Sequence, residues 1–441
     1  MSKRLFALLS VLVLASMVLA ACGTATEAPA TEAPATEAPA TEAPATEAPV
    51  VPVGTLKIVS SLPMTGASLT QTQTIVNAML LRVEQANYSA CGGKYTLEYE
   101  AWDDASAALG KWDPAVETEN ANKAAADLAI IAYLGTFNSG AAKLSIPILN
   151  EAGPLAMISP ANTATGLTKF IEGQAGEDEP DKYYPSGVRN YARVAATDDQ
   201  QGPVIVNFLL DQGVKTLYIL DDQEVYGKGV ADSVRIDAEK KGITVIAQEG
   251  FDPKAADYKA LMTKISTSNA GGPPDAIFLG AIVDNNAAQV VKDKVAIMGD
   301  NETVKFMGPD GMYTAALIEG AGEAAEGVFA STPGLAPKDL GEAGKKFFVD
   351  YAAKFGETNE PYAIMGYDAM SAAIKAIEDV CAAGGDPTDR AAITTAVFAI
   401  KDFEGALGTW SFDANGDITL PYYLVGQVQG GTYVAFGTYT P

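Results

Sequence analysis

The chain has 441 residues, 48% of them hydrophobic and 19% charged, enough for two domains of ordinary size. A formal net charge of −25 repels nucleic-acid phosphates and anionic headgroups, so no nucleic acid is expected as a partner. With no histidine and three cysteines, histidine-dependent catalysis and the ordinary zinc and iron–sulfur sites drop out, and neither a metal nor a cofactor is expected.

In chain order, Lys3 and Arg4 precede a nearly unbroken apolar stretch from Leu5 to Ala20, short for a membrane span and right for a signal peptide. It ends in "LAAC" (19–22), which resembles the lipobox of bacterial lipoproteins. That resemblance implies a leader over 1–21, cleaved so that Cys22 carries a diacylglyceryl group and anchors the body to a membrane. The alternative is an ordinary cleavage site with an incidental cysteine. Residues 26–50 are copies of Thr-Glu-Ala-Pro-Ala, the last ending in Val50. A proline every fifth residue defeats helix and sheet alike, so 22–53 reads as a solvated tether. Its reach is about 3 Å per residue where it is extended. The work then falls to 54–441, outside the cytoplasmic membrane.

From Gly54 onward short apolar runs alternate with amphipathic segments. Strands are predicted at 56–62, 95–102, 128–135, 154–159, 214–222, 243–249, 275–280, 303–308 and 326–331. Helical patterns lie between them, for example 71–87, 115–127, 226–241 and 258–268. Such alternation implies α/β lobes with doubly wound parallel sheets, and this many strands calls for two of them. The stretch "IEGQAGEDEPDKYYPSG" (171–187) sits where one lobe could hand over to the other. After Ser331 the pattern is helical (339–356, 362–383, 388–400), then closes in short strands around the turn "DANGD" (413–417).

Open parallel sheets bind ligands beyond the carboxyl ends of their strands. "YLGTFNSGAAKL" (133–144) leaves a strand and enters a helix through small residues, with Asn138 or Ser139 as a natural N-cap. Free amides there suit a carboxylate, although spacing alone favours a plain capped turn. Asn162 and Thr163 follow the next strand and either face the cleft or organise a turn. Tyr226 could close its ring face over an ammonium or merely shield a helix start. Asp310, between Pro and Gly, could aim a carboxylate into a crevice or simply make the turn. Together these are groups for holding a small zwitterion, with no activated nucleophile among them.

In order, "SLPMTGA" (61–67), "WDDAS…DPAVETENANKAAAD" (102–127), "YLGTFNSGAAKLSIPILNEAGPLAMISPANTATGLT" (133–168), "ATDDQQGP" (196–203), "DDQEVYGKGV" (221–230) and "KFMGPDG" (305–311) resemble the type I periplasmic binding proteins. The resemblance is to the branched-chain amino acid (leucine/isoleucine/valine) receptors of ABC importers. It implies two lobes joined by a three-strand hinge, with the ligand in the cleft between them. Lobe 1 would be 54–195 and 332–410, and lobe 2 would be 196–331 and 411–441. It implies that Ser139, Gly140 and Ala141 take the ligand α-carboxylate beside Asn138. Thr163 beside Asn162 would lend a hydroxyl, Tyr226 an aromatic, and Asp310 the acid for the α-ammonium. Gln71 and Ile282 stand where relatives offer aromatics, which leaves the pocket shape open.

Cys91 and Cys381 remain, each expected just after a first-lobe helix, either paired or as two buried thiols. The expected role is capture of a small neutral amino acid by a monomeric, membrane-anchored receptor that delivers it to an ABC permease, without catalysis. A sensor of the same fold reporting to a membrane partner is the alternative. An extracytoplasmic α/β enzyme is the other, although no Gly-x-Ser-x-Gly elbow, Walker A loop or complete Gly-x-Gly-x-x-Gly occurs.

Overall fold

The computed structural model describes residues 51–441. The expected leader, Cys22 and nearly all of the tether lie outside the described residues. The first lobe opens with β1 (Gly54–Leu62), α1 (Leu69–Gln85), β2 (Ser89–Ala90) and β3 (Tyr95–Asp103). A small hairpin, β4 (Ala105–Ser106) and β5 (Lys111–Trp112), leads to α2 (Pro114–Ala126). Then come β6 (Ile130–Gly135), α3 (Ser139–Asn150), β7 (Ala156–Ser159) and β8 (Tyr191–Arg193). The sheet runs β2-β3-β1-β6-β7-β8 and is parallel except for β2.

The second lobe follows with α4 (Asp198–Asp211), β9 (Thr216–Asp221), α5 (Val225–Lys240), β10 (Thr244–Gly250) and α6 (Lys259–Ser266). It continues through β11 (Ala276–Gly280), α7 (Ala287–Met298), β12 (Lys305–Gly308), α8 (Ala315–Ala321) and β13 (Phe329–Pro333). The chain returns to the first lobe for α9 (Glu342–Phe355), α10 (Ala363–Ala382), α11 (Arg390–Phe398) and the hairpin β14 (Phe403–Gly405)–β15 (Gly408–Trp410). It ends in the second sheet with β16 (Tyr423–Gln429) and β17 (Thr432–Tyr439). That sheet runs β10-β9-β11-β12-β13-β16-β17, its last two strands antiparallel.

Local sequence explains these elements. All six residues of β6, "IIAYLG", are buried, as a parallel strand covered on both faces requires. Residues Leu56, Ile58 and Leu62 of β1 meet α1 and α10 on one face, while Val59 meets α2 and α3 on the other. Helix α2 starts on Asp113, whose carboxylate accepts from the Ala115 amide, with Pro114 at the first helical position. The second sheet is covered likewise, by α4 and α5 on one face and by α6, α7 and α8 on the other.

Two expectations about the lobe boundaries change. The stretch 171–187 is an excursion within the first lobe: Tyr183 and Tyr184 pack in its core, and Glu179 accepts from Lys143 of α3 at 2.6 Å. Its glycines and acids mark a surface loop, and the crossing comes later, between β8 and α4. The segment expected to open lobe 2 at 411 stays in lobe 1, because Phe412 and Ile418 lie in the first core. The third crossing therefore falls between Ile418 and Tyr423. At this hinge the fully buried Arg193 donates to Asp417 at 2.7 Å and to the carbonyl of Ala164 at 2.8 Å. It thereby binds β8, the 162–168 loop and the 413–417 turn into one block.

Cys91, in the β2–β3 turn, is disulfide-bonded to Cys381, with Cα atoms 5.7 Å apart and a sequence separation of 290. Cys381 lies inside the last turn of α10 rather than after a helix. The bond joins the two sequence halves of the first lobe. Reduction, or Cys91→Ala with Cys381→Ala, is expected to cost about 2–5 kcal/mol of stability. The check is the urea midpoint of oxidised against reduced protein, and coincident midpoints would show that the bond does not contribute.

Candidate ligand site

In the first sheet the strand order reverses between β1 and β6, and in the second between β9 and β11. These are the topological switch points, where strand ends diverge and leave a crevice. The loops that leave them face one another. Phe137 and Asn138 follow β6, Ala161 follows β7, Tyr226 follows β9, Ile282 follows β11, and Asp310 and Gly311 follow β12. With Tyr362 they enclose a cavity of about 10 Å³, near the space one water needs. The lobes are closed on one another.

Close backbone approaches position these side chains. A Cβ on Gly227 would lie 2.4 Å from the Gly280 carbonyl oxygen, so glycine at both positions lets α5 settle onto β11 and carries Tyr226 inward. The Tyr226 hydroxyl donates to Asp310 at 2.8 Å and accepts from the Gly311 amide at 2.9 Å. Tyr362 also donates to Asp310 and packs edge-to-face on Phe137, ring centroids 5.6 Å apart. Burial pushes the Asp310 carboxyl above the usual carboxylate range, and these phenols act against that shift. Both phenols are held well above their own ordinary range by burial and then by the Asp310 charge, so they remain donors.

A second acid stands close behind. Asp198, the first residue of α4, is buried, and both of its carboxylate oxygens lack a partner. Burial, then the charge of Asp310, pushes its carboxyl well above the ordinary range. The buried oxygens of Thr163 (Oγ1), Gln201 (Oε1), Asn138 (Oδ1) and Gln71 (Oε1) are likewise unpartnered. Such a concentration of orphaned polar groups is rare in a folded interior.

Each residue singled out in the sequence can now be placed. Asn138 is the N-cap of α3, with its side chain making no capping bond. Ser139 and Gly140 begin that helix, and their amides donate to no acceptor among the described residues. The Ala141 amide is already donated to the Asn138 carbonyl at 3.1 Å, which withdraws it from a ligand in this conformation. Ser139 Oγ accepts from the Ala164 amide at 3.3 Å, and Thr163 is buried at the same loop. Asn162 does not face the cleft. Its amide group donates to the Phe137 carbonyl at 2.9 Å and accepts from Tyr191 at 3.1 Å, tying adjacent loops together. Tyr226 engages Asp310 through its hydroxyl, not its ring face. Gln71 is buried, reaching the Asp310 and Tyr313 carbonyls at 3.4 Å, and Ile282 lines the cavity.

The model of the periplasmic binding protein family matches residues 55–432. The chain belongs to that family. A Pseudomonas aeruginosa leucine-, isoleucine-, valine-, threonine- and alanine-binding protein is 26% identical over 365 residues, covering 82% of this chain and 87% of that one. A leucine binding protein from Thermotoga maritima superposes with a TM-score of 0.74 at 24% identity, covering 88% of this chain and 99% of that one. A branched-chain amino acid transporter substrate binding protein from Streptococcus pneumoniae, solved with isoleucine, gives 0.72 at 22% identity, covering 88% and 100%. The chain thus has the fold of the type I periplasmic binding proteins.

Sequence reasoning about this periplasmic binding protein missed Phe137, Ala161, Asp198, Gln201 and Tyr362. Asp198 and Asp199 read as ordinary acids in the first turn of a helix. Tyr362 sits at the start of α10 among apolar residues that look like core. Contacts across the crevice also close the lobes. Asp284 of the second lobe accepts from the Ala67 amide at 2.6 Å and from Ser68, at the start of α1. Glu224 pairs with Lys111 and accepts from Trp112 Nε1 at 3.0 Å, and a Cβ on Gly140 would fall 2.9 Å from that indole.

Burial raises several other acids: Glu117 and Glu360 to about 7, Asp222 and Asp368 to about 6. Between their unfolded and folded values the native state holds more protons than the unfolded chain, so stability declines as pH rises through that window. The carboxyls held low, Glu179 at about 2 and Asp417 through Arg193, act only at more acidic pH. Calorimetric Tm is therefore expected to be higher at pH 5.5 than at pH 8. A flat or rising profile would count against these burial shifts.

Proposed function

We propose that this protein captures a small neutral amino acid, branched-chain or similar, in the interlobe crevice and delivers it to an ABC permease. One observation carries the reading: the buried carboxylate of Asp310 lines the same small crevice as Asn138, the residue just before the free helix-start amides of Ser139 and Gly140. The α-carboxylate would sit on those amides, with Thr163 lending its hydroxyl. The α-ammonium would replace the phenol protons of Tyr226 and Tyr362 on Asp310. Phe137, Ile282 and Ala161 would meet the side chain. The cavity must widen to admit a ligand, so binding follows opening of the lobes. A ligand then stabilises the closed form by its differential contacts with the two lobes.

The buried carboxylate of Asp310 favours a zwitterion over an aromatic acid. It would repel a ligand such as benzoate, with which a Rhodopseudomonas palustris neighbour of this fold was solved. Titration calorimetry with leucine, isoleucine, valine, alanine and benzoate tests the reading directly. Asp310→Asn is expected to lower amino-acid affinity at least about tenfold, roughly 1.4 kcal/mol, without lowering Tm. Unchanged affinity would remove Asp310 from the site.

Membership of the family implies an extracytoplasmic place of work, and no helix among the described residues is long and apolar enough to cross a membrane. We therefore assign retention to a lipid on Cys22, with the repeat as leash and the protein as a monomer. Cys22→Ser is expected to shift the protein from the membrane fraction to the soluble one. Retention of that variant would mean that another anchor exists.

A further inference from the structure

A second cavity, of about 120 Å³, lies at the hinge, away from the ligand crevice. Its walls come from both lobes. Leu340, Ile364 and Leu407 belong to the first core, and Ala336, Leu424 and Tyr433 to the second. A cavity of roughly 150 Å³ with apolar walls accepts benzene, so the space suits a body of about that size or slightly smaller. No lysine or arginine lines it.

Several polar residues, Thr358 and Asn359 among them, interrupt the apolar lining, and two buried ones, Glu360 and Thr332, each keep an oxygen without a partner. Glu360, in the turn before α10, is 6% exposed. Its Oε1 accepts from the Ala315 amide at 2.9 Å and from the Thr314 hydroxyl at 3.1 Å, across the lobe boundary at the start of α8. Its Oε2 accepts from nothing. Thr332, at the end of β13, is 2% exposed, and its Oγ1 is also unpartnered. Burial raises the Glu360 carboxyl to about 7, as expected for an acid whose charge finds no full counterweight. A buried acceptor of this kind costs stability until a donor reaches it. An ammonium would supply both donors and charge, and the strongly acidic chain attracts cations from solution.

We propose that this hinge cavity is a second ligand site, for a small primary alkylamine whose ammonium bonds Glu360 Oε2 and Thr332 Oγ1 while its alkyl body fills the apolar wall. The site is separate from the amino-acid crevice and does not depend on that reading. The probe is n-butylamine, titrated calorimetrically into the full protein at pH 8.5, against n-butanol and butyrate as neutral and anionic counterparts. Saturable one-to-one binding of the amine is expected, with the alcohol at least about tenfold weaker and no binding of butyrate. Glu360→Gln, which retains an oxygen for the Ala315 amide, is expected to weaken the amine about tenfold or more. Asp310→Asn should weaken it far less than Glu360→Gln does. Should Glu360→Gln fail to fold, Ala336→Leu, which occupies the cavity without touching Glu360, is expected to abolish the binding. Absence of saturable binding, equal binding of butanol, or amine binding lost with Asp310 rather than Glu360 would overturn the proposal.

Discussion

A carboxylate taken out of water must find donors or a counter-charge, and Asp310 meets that requirement with two phenols drawn from opposite sides of the crevice. Tyr226 comes from the second lobe and Tyr362 from the first, so satisfying one acid holds the lobes together. The same hydroxyls stand where ligand donors would stand. An incoming ammonium would supply donors and a full counter-charge, where the phenols supply donors alone. The electrostatics of the crevice are thus built for exchange.

Closure does not rest on that acid alone. Asp284 meets the start of α1, and Glu224 meets Lys111 and Trp112 across the cleft mouth. Lys111 and Glu224 keep about a quarter of their side-chain surface in water, and partly exposed pairs of this kind contribute roughly 0–1 kcal/mol. Such latches add little to the closed form individually. A modest differential affinity is then enough to change which form dominates.

Much of the fold was legible because parallel strands buried on both faces are continuous apolar runs, and β6 and β11 are clear examples. The lobe edges were less so. The 171–187 stretch has the composition of a linker, yet its tyrosines are anchored in a core, and composition does not report where a chain returns. The strand-end rule and the family resemblance together pointed to Asn138, Ser139, Tyr226 and Asp310, which the structure brings to one crevice or its edge. They left Asn162 open between cleft and turn, because an asparagine after a strand looks the same whether it faces a ligand or a backbone; its amide serves neighbouring loops. Asp198 and Tyr362 were hidden for a different reason. Their significance lies in what they lack or meet across a lobe boundary, more than 50 residues away for the Tyr362–Asp310 contact.

The hinge supplies the last link. Arg193 fixes the loop that carries Thr163 to the turn that carries Asp417, so one wall of the crevice is continuous with the crossing strands. On the other side, Glu360 and Tyr362 share a single turn, and Asp310 and Thr314 share another. Tyr362 bonds Asp310 in the crevice, while Glu360 bonds Thr314 at the hinge cavity. Two short segments therefore meet twice, once at each cavity, with little backbone between the contacts. A rotation that separates the lobes must disturb both meetings together, because packed segments shift as units. Any energetic link between the two cavities that follows from this shared pair of turns must be reciprocal, since a coupling free energy belongs to both sites equally.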